Sequence, residues 1–167
     1  SGNTGEALEH LGQAASLDPR NLKARTLLAL AERTAGKLAE AQRHIDAVVE
    51  EMPLDYLALH ERREVFRAAG KEEEANRTGD ELWRLLSREP DSVLELAFDY
   101  AAAGRVIEAK SVLQEAMRRF APPGRPSHPM LHYTLGYFLD LSGDKEAARA
   151  QWELGMRGNP ALVFPHQ

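Results

Sequence analysis

The sequence predicts an all-α protein, built as a stack of repeated antiparallel helix pairs with about nine helices. Three observations carry that prediction. Gly2, Gly36, Gly70 and Gly104 recur at a spacing of 34 residues. Ala7, Ala41, Ala75 and Ala109 keep the same spacing, each five residues after its glycine. Between these marks, apolar residues fall at helical intervals: Leu22, Leu27, Leu28 and Ala31 ahead of Gly36, then Leu38, Ala41, Ile45, Val48 and Val49 ahead of Pro53.

Each mark has a physical reason. The glycine ends the first helix of a pair, where the chain needs a left-handed residue without a Cβ. The alanine lies early in the second helix, where two backbones approach closely. Pro19 and Pro53 follow second helices, because proline cannot continue one. Pro160 stands twelve residues after Ala148, as Pro19 does after Ala7.

Taken in order, a lone second helix over 5–17 opens the chain. A hairpin over 22–52 follows. The next, 56–88, is the least regular. The third, 91–120, opens with Ser92 and Glu95 in a capping-box pattern. The stretch 121–129 holds four prolines in nine residues, a stiff extended connector. It shifts the next pair of marks, so that Gly143 and Ala148 arrive five residues late. The hairpin 130–158 places Leu131, Leu135, Phe138 and Leu139 on its first helix and Ala148, Trp152 and Met156 on its second. The tail 161–167 has the pattern of a further first helix cut short, so the chain reads as a piece of a longer array. Its 167 residues are one domain by size.

A period of 34 is that of the tetratricopeptide repeat, and the sequence resembles that family over nearly its whole length. The last full repeat is closest: Leu135, Gly136, Leu139, Gly143, Ala148, Trp152, Gly155 and Pro160 stand where the family places its large and small residues. The resemblance implies a right-handed superhelical solenoid whose concave face, lined by first helices, binds peptides or domains. The hairpin 56–88 departs from the pattern. Arg62 and Arg63 replace a large apolar and a small residue, Gly79 replaces the large residue of the second helix, and Ser87 stands where proline is expected. Two readings are open: local degeneration, with arginine stems packed and their heads at the surface or paired with Glu, or a specialised binding or hinge repeat. More narrowly, the run 89–100 and the ending Val163-Phe164-Pro165-His166 resemble the C-terminal repeat region of large bacterial proteins with an N-terminal carbohydrate-enzyme-like β-sandwich domain of unknown function. That resemblance implies an accessory module packing on, or supporting, such a domain.

Composition excludes several functions. The formal net charge is −5, and Lys and Arg are interspersed with Asp and Glu, so no basic stripe awaits nucleic acid. With no cysteine there is no disulfide scaffold, thiol nucleophile or Cys-based zinc site; a reducing cytoplasm fits. No apolar run approaches the roughly 18 residues of a membrane span, and no membrane partner is expected. No serine sits in a Gly-x-Ser-x-Gly elbow, no glycine-rich loop cradles phosphate, and Glu72, Glu73 and Glu74 read as a favourable first turn. We expect no catalytic residue, cofactor or metal.

Histidines offer the remaining chemistry. His10 and His44 are 34 apart and read as equivalent helix-contact residues. His128 and His132 have a metal-ligand spacing, but Pro129 between them puts His128 in the loop, and no third ligand is evident. His60 with Glu61 and Glu64 could hold a cation; a solvated polar face is the plainer reading.

The repeat frame assigns an inward stripe to each first helix: Lys23, Thr26, Leu30 and Arg33; Leu57, His60, Glu64 and Arg67; Asp91, Leu94, Phe98 and Ala101; Met130, Tyr133, Tyr137 and Asp140. Thr26, Leu30, His60 and Glu64 do not match the family's clamp for a terminal carboxylate, so chaperone-tail binding is not expected. Leu94, Phe98, Met130, Tyr133 and Tyr137 give the later stripes an apolar, aromatic character suited to a partner segment. The expected function is a scaffold for protein–protein or domain–domain contact, its partner groove formed by these five with His60 and Glu64. Sugar stacking on Tyr133, Tyr137 and Trp152, and self-association through the ends of the stack, are alternatives.

Overall fold

The computed structural model describes residues 2–87, 90–120 and 127–158. Among them are nine α-helices and no strand: α1 Gly2–Leu17, α2 Leu22–Thr34, α3 Leu38–Glu51, α4 Tyr56–Ala68, α5 Glu72–Leu86, α6 Pro90–Ala102, α7 Val106–Phe120, α8 Pro129–Leu141 and α9 Lys145–Met156. The connector residues 121–126, Pro160 and the expected helix start at 161–167 lie outside the described residues. No helix is long and apolar enough to cross a membrane among those described.

The chain divides into two compact units, Ser1–Leu85 and Leu86–Gln167. In the first, α1 packs on α2, α2 on α3 and α3 on α4, while α2 also reaches α4. In the second, α6 packs on α7, α7 on α8 and α8 on α9. A helix this short is marginal alone, so burial of one face against a neighbour stabilises each. Ile45, Val48, Leu59, Val65 and Leu82 form the core of the first unit; Leu96, Tyr100, Leu113, Leu135 and Phe138 that of the second.

Four of the five marked glycines do what their chemistry requires, whereas Gly2 stands at the start of α1 and closes no turn. Gly36, Gly70, Gly104 and Gly143 all have positive φ, between 71° and 84°. Each closes a Schellman turn in which the next amide bonds back to the last turn of the first helix: Lys37 N to Glu32 O at 2.9 Å, Lys71 N to Phe66 O at 2.9 Å, Arg105 N to Tyr100 O at 2.8 Å and Asp144 N to Leu139 O at 3.0 Å. Ala41, Ala75, Ala109 and Ala148 are buried, as a close helix–helix approach demands.

Two expected starts are corrected. The opening helix begins at Gly2, three residues before the expected start at 5. The third hairpin's first helix begins at Pro90, so Ser92 lies in its first turn, buried, and is not the N-cap. Proline's fixed φ suits the first helical position and overrides the capping-box pattern. At α2 and α4 the caps are conventional: Asn21 Oδ1 accepts from Ala24 N at 2.9 Å and Asp55 Oδ1 from Ala58 N at 2.8 Å.

Candidate functional site

In the first unit, the first-helix stripes are largely closed. Thr26 is buried and its hydroxyl donates to Leu22 O at 2.9 Å. Leu30 and Leu57 are core residues. Lys23 and Arg67 are exposed, and Glu64 is half-buried with Arg67 Nη1 at 3.1 Å. His60 is buried, and its pKa is lowered to about 3 by that burial first and then by the positive charges of Arg63, Arg33 and Arg67. It is a neutral core imidazole. Glu61 is fully buried, and both its oxygens accept from Arg33, at 2.5 and 3.2 Å. Both sequence readings of His60, Glu61 and Glu64, cation site and solvated face, are therefore corrected. The local pattern looked polar because the compensating guanidinium comes from 28 residues away.

The two arginines of this hairpin differ. Arg62 meets an aspartate, Asp46, at 2.7 Å, and its guanidinium lies over the Phe66 ring at 5.2 Å. Arg63 is buried and packs against Gly79, where an added Cβ would come within 3.1 Å of its Nε. The missing side chain at Gly79 is the space that Arg63 fills.

The second unit presents rings instead. Phe98 on α6 is 48% exposed and Tyr137 on α8 is 50% exposed. The buried ring of Phe138 joins them: it meets Phe98 edge-on at 5.5 Å between centroids and Tyr137 tilted at 5.5 Å. Leu94, Ala101 and Met130 are half-buried on the same two helices, and Asp91 and Asp140 are exposed. Tyr133 is half-buried, its ring close above Gly155, where a Cβ would come within 3.1 Å. Leu141, 61% exposed, belongs beside Tyr137 although the stripe omitted it; its place four residues on, one helical turn, was the available signal. Trp152 lies on Gly136, where any Cβ would run into the indole, and its Nε1 is 3.4 Å from Tyr133 O. That contact makes it a hairpin residue rather than a free sugar platform.

The other histidines are structural. His44 Nδ1 is 2.7 Å from Glu32 Oε2, a contact between α3 and α2, whereas His10 is exposed on α1. His128 is the N-cap of α8. His132 bridges Ser127 Oγ at 2.9 Å and Gln151 Oε1 at 2.8 Å. A serine hydroxyl on an imidazole is the arrangement of an activated nucleophile. Here Ser127 is buried, and Gln151 brings no charge to steady an imidazolium, so the network fixes the entry to α8. Among the described residues, no group of three His, Cys, Asp or Glu could hold a metal ion. An open cleft of about 790 Å³ lies between α1, α2 and α3, but the Arg25 side chain within it is tied to Glu51 at 2.6 Å and to Pro19 O at 3.1 Å.

Hairpins of two helices, each turning on a left-handed glycine, the first three spaced by 34 residues and the last by 39, define a helical-repeat protein. Residues 1–62 match the family model described as "Tetratricopeptide repeat". Solved structures agree in fold. MamA 41-end from Desulfovibrio magneticus RS-1 aligns with a TM-score of 0.50 at 17% identity, over 93% of this chain and 85% of that one. Nearly identical TPR-like repeats from Podosopora anserina align with a TM-score of 0.50 at 23% identity, over 99% and 90%. A further MamA structure gives 0.50 at 14% identity, over 93% and 88%. No curated protein matches in sequence.

Proposed function

We propose that this chain is a protein-interaction scaffold and that the first-helix face of its second unit, α6 with α8, receives a segment of a partner protein or of a neighbouring domain. The tetratricopeptide repeat supports the general role. The observation that carries the finer one is the pair of half-exposed rings, Phe98 and Tyr137, both in contact with the buried ring of Phe138. Aromatic side chains that remain exposed lose little entropy on binding and are favoured as interface anchors. Leu94 and Met130 extend the apolar ground between them. His60 is buried and drops out of the surface, and Glu64 belongs with Arg67 in the first unit. The face has no cluster of lysines and arginines to hold a terminal carboxylate, so we infer binding through side chains. We infer no catalysis.

Selection of a randomised peptide display pool on the whole chain tests this reading. Phe98→Ala and Tyr137→Ala should each weaken the enriched peptides by about tenfold or more, as interface anchors do, with melting temperature little changed. Equal enrichment on the double variant, correctly folded by circular dichroism, removes the assignment.

A further inference from the structure

The rings of the second unit share their face with one sign of charge. Helices α6 and α8 carry Asp91, Glu95, Asp99 and Asp140 and neither Lys nor Arg. Asp91, Glu95 and Phe98 succeed one another at intervals of four and three, so they lie on one side of α6, and all three are exposed. On α8, Asp140 and Leu141 follow Tyr137 by three and four residues, so all three lie on one side of that helix, and all are exposed. The bases of this unit's helices are on the second helices, Lys110, Arg118 and Arg119 on α7 and Lys145 and Arg149 on α9. Among charged residues α6 and α8 thus carry acids alone, whereas α7 and α9 mix these bases with Glu108, Glu115, Glu146 and Glu153; Lys110 Nζ reaches Ser142 Oγ at 3.0 Å, just past the end of α8.

Resting on the binding face proposed above, we propose that its occupant is a basic segment, with Lys or Arg on both sides of an apolar anchor. Asp91, Glu95 and Asp140 would meet the cations, while Phe98, Tyr137 and Leu141 take the anchor. The exposed ring faces also attract ammonium and guanidinium groups. An acidic segment would bring like charges together at the same anchors, which selects against it. The attraction also raises the encounter rate, in a manner that salt screens.

The same peptide pool reads this out. Peptides enriched on the whole chain should carry net positive charge flanking a Leu, Phe or similar side chain. Their affinity should fall about tenfold in the combined variant Asp91→Asn, Glu95→Gln, Asp140→Asn, because exposed ion pairs contribute roughly two- to threefold each. Raised salt should reproduce that loss in the wild type and have little effect in the variant. Enriched peptides that are neutral or acidic, or basic peptides that bind the charge-removed variant equally well, overturn the proposal and leave the binding face intact. Loss of the enrichment on the Phe98→Ala, Tyr137→Ala double variant is needed for the face itself; if the double variant enriches the same peptides, both readings fail. Concentration-dependent dimerisation abolished by that double variant would assign the face to a second copy, and would also overturn the basic segment.

Discussion

In the α8–α9 hairpin a glycine on the first helix, Gly136, receives the indole of Trp152 from the second. In the α4–α5 hairpin the sizes are exchanged: Arg63 on the first helix fills the space over Gly79 on the second. The positions are equivalent, seven residues before and nine after the turn glycines Gly70 and Gly143. The other two hairpins follow the first arrangement, with Ala29 opposite Ile45 and Ala97 opposite Leu113 in the repeat frame. What the fold constrains here is the summed volume across the helix pair, not the residue at each place. The exchange has an electrostatic consequence. A buried arginine joins a first helix whose interior holds neutral His60 and the Arg33-paired Glu61, while the equivalent places on α8 are Tyr133 and Thr134.

The largest effect should come from that polar interior. Glu61→Gln removes the carboxylate that Arg33 meets in a buried pair, and a loss of about 3–4 kcal/mol in urea unfolding is expected. Thr134→Val, at the equivalent place in α8, should cost about 1 kcal/mol or less. Equal losses would mean that the two hairpin cores do not differ in kind. Next, Gly136→Ala should cost about 2–3 kcal/mol by overpacking against Trp152. Pairing it with Trp152→Leu should recover part of the loss in calorimetric melting.

The polar hairpin should also respond to acid. His60 has a folded pKa of about 3 against an ordinary 6.5. The unfolded chain therefore takes up the proton first. The contribution is complete above about pH 6.5 and is lost as pH falls from there toward 3, by about 2 kcal/mol near pH 5. Denaturation midpoints measured from neutral pH to about pH 5 should fall less steeply in His60→Gln than in the wild type; parallel slopes would contradict a neutral buried imidazole. The smallest effect is expected at Gly79→Ala. Helix propensity gains about 1 kcal/mol, and the crowded atoms belong to a flexible arginine that can shift, so the net change should stay within about 1 kcal/mol. A loss as large as that of Gly136→Ala would show that Arg63 is held as rigidly as Trp152.

These hairpins also show how far the chain could be read directly. The turn glycines and the buried alanines answer to local backbone demands, so spacing alone located the helices. Arg63 and Gly79 each stood out as departures, yet their compensation is a contact between helices that no one-dimensional period displays. Glu61 looked solvated because Arg33 lies a full hairpin earlier. Ser92 and Glu95 formed a valid capping pattern, which Pro90 pre-empted by starting the helix sooner. On α6 and α8 the aromatic positions could be read, but the exposure of Phe98 and Tyr137 could not. It depends on how Phe138 turns inward between them, and Tyr133 in the same stripe is engaged by Gly155.

The ion pairs of α4 bear on how this array can change length. Repeat proteins are commonly pictured as beads that can be added, dropped or shuffled. Here Arg33 of α2 reaches Glu61, and Asp46 of α3 reaches Arg62, so two groups of one bead depend on the next. Excising the second hairpin, or substituting a standard copy, would remove Glu61 from Arg33 and Arg62 from Asp46. The two hairpins are therefore coupled through charge, and grafting should cost least stability when its boundary falls outside both.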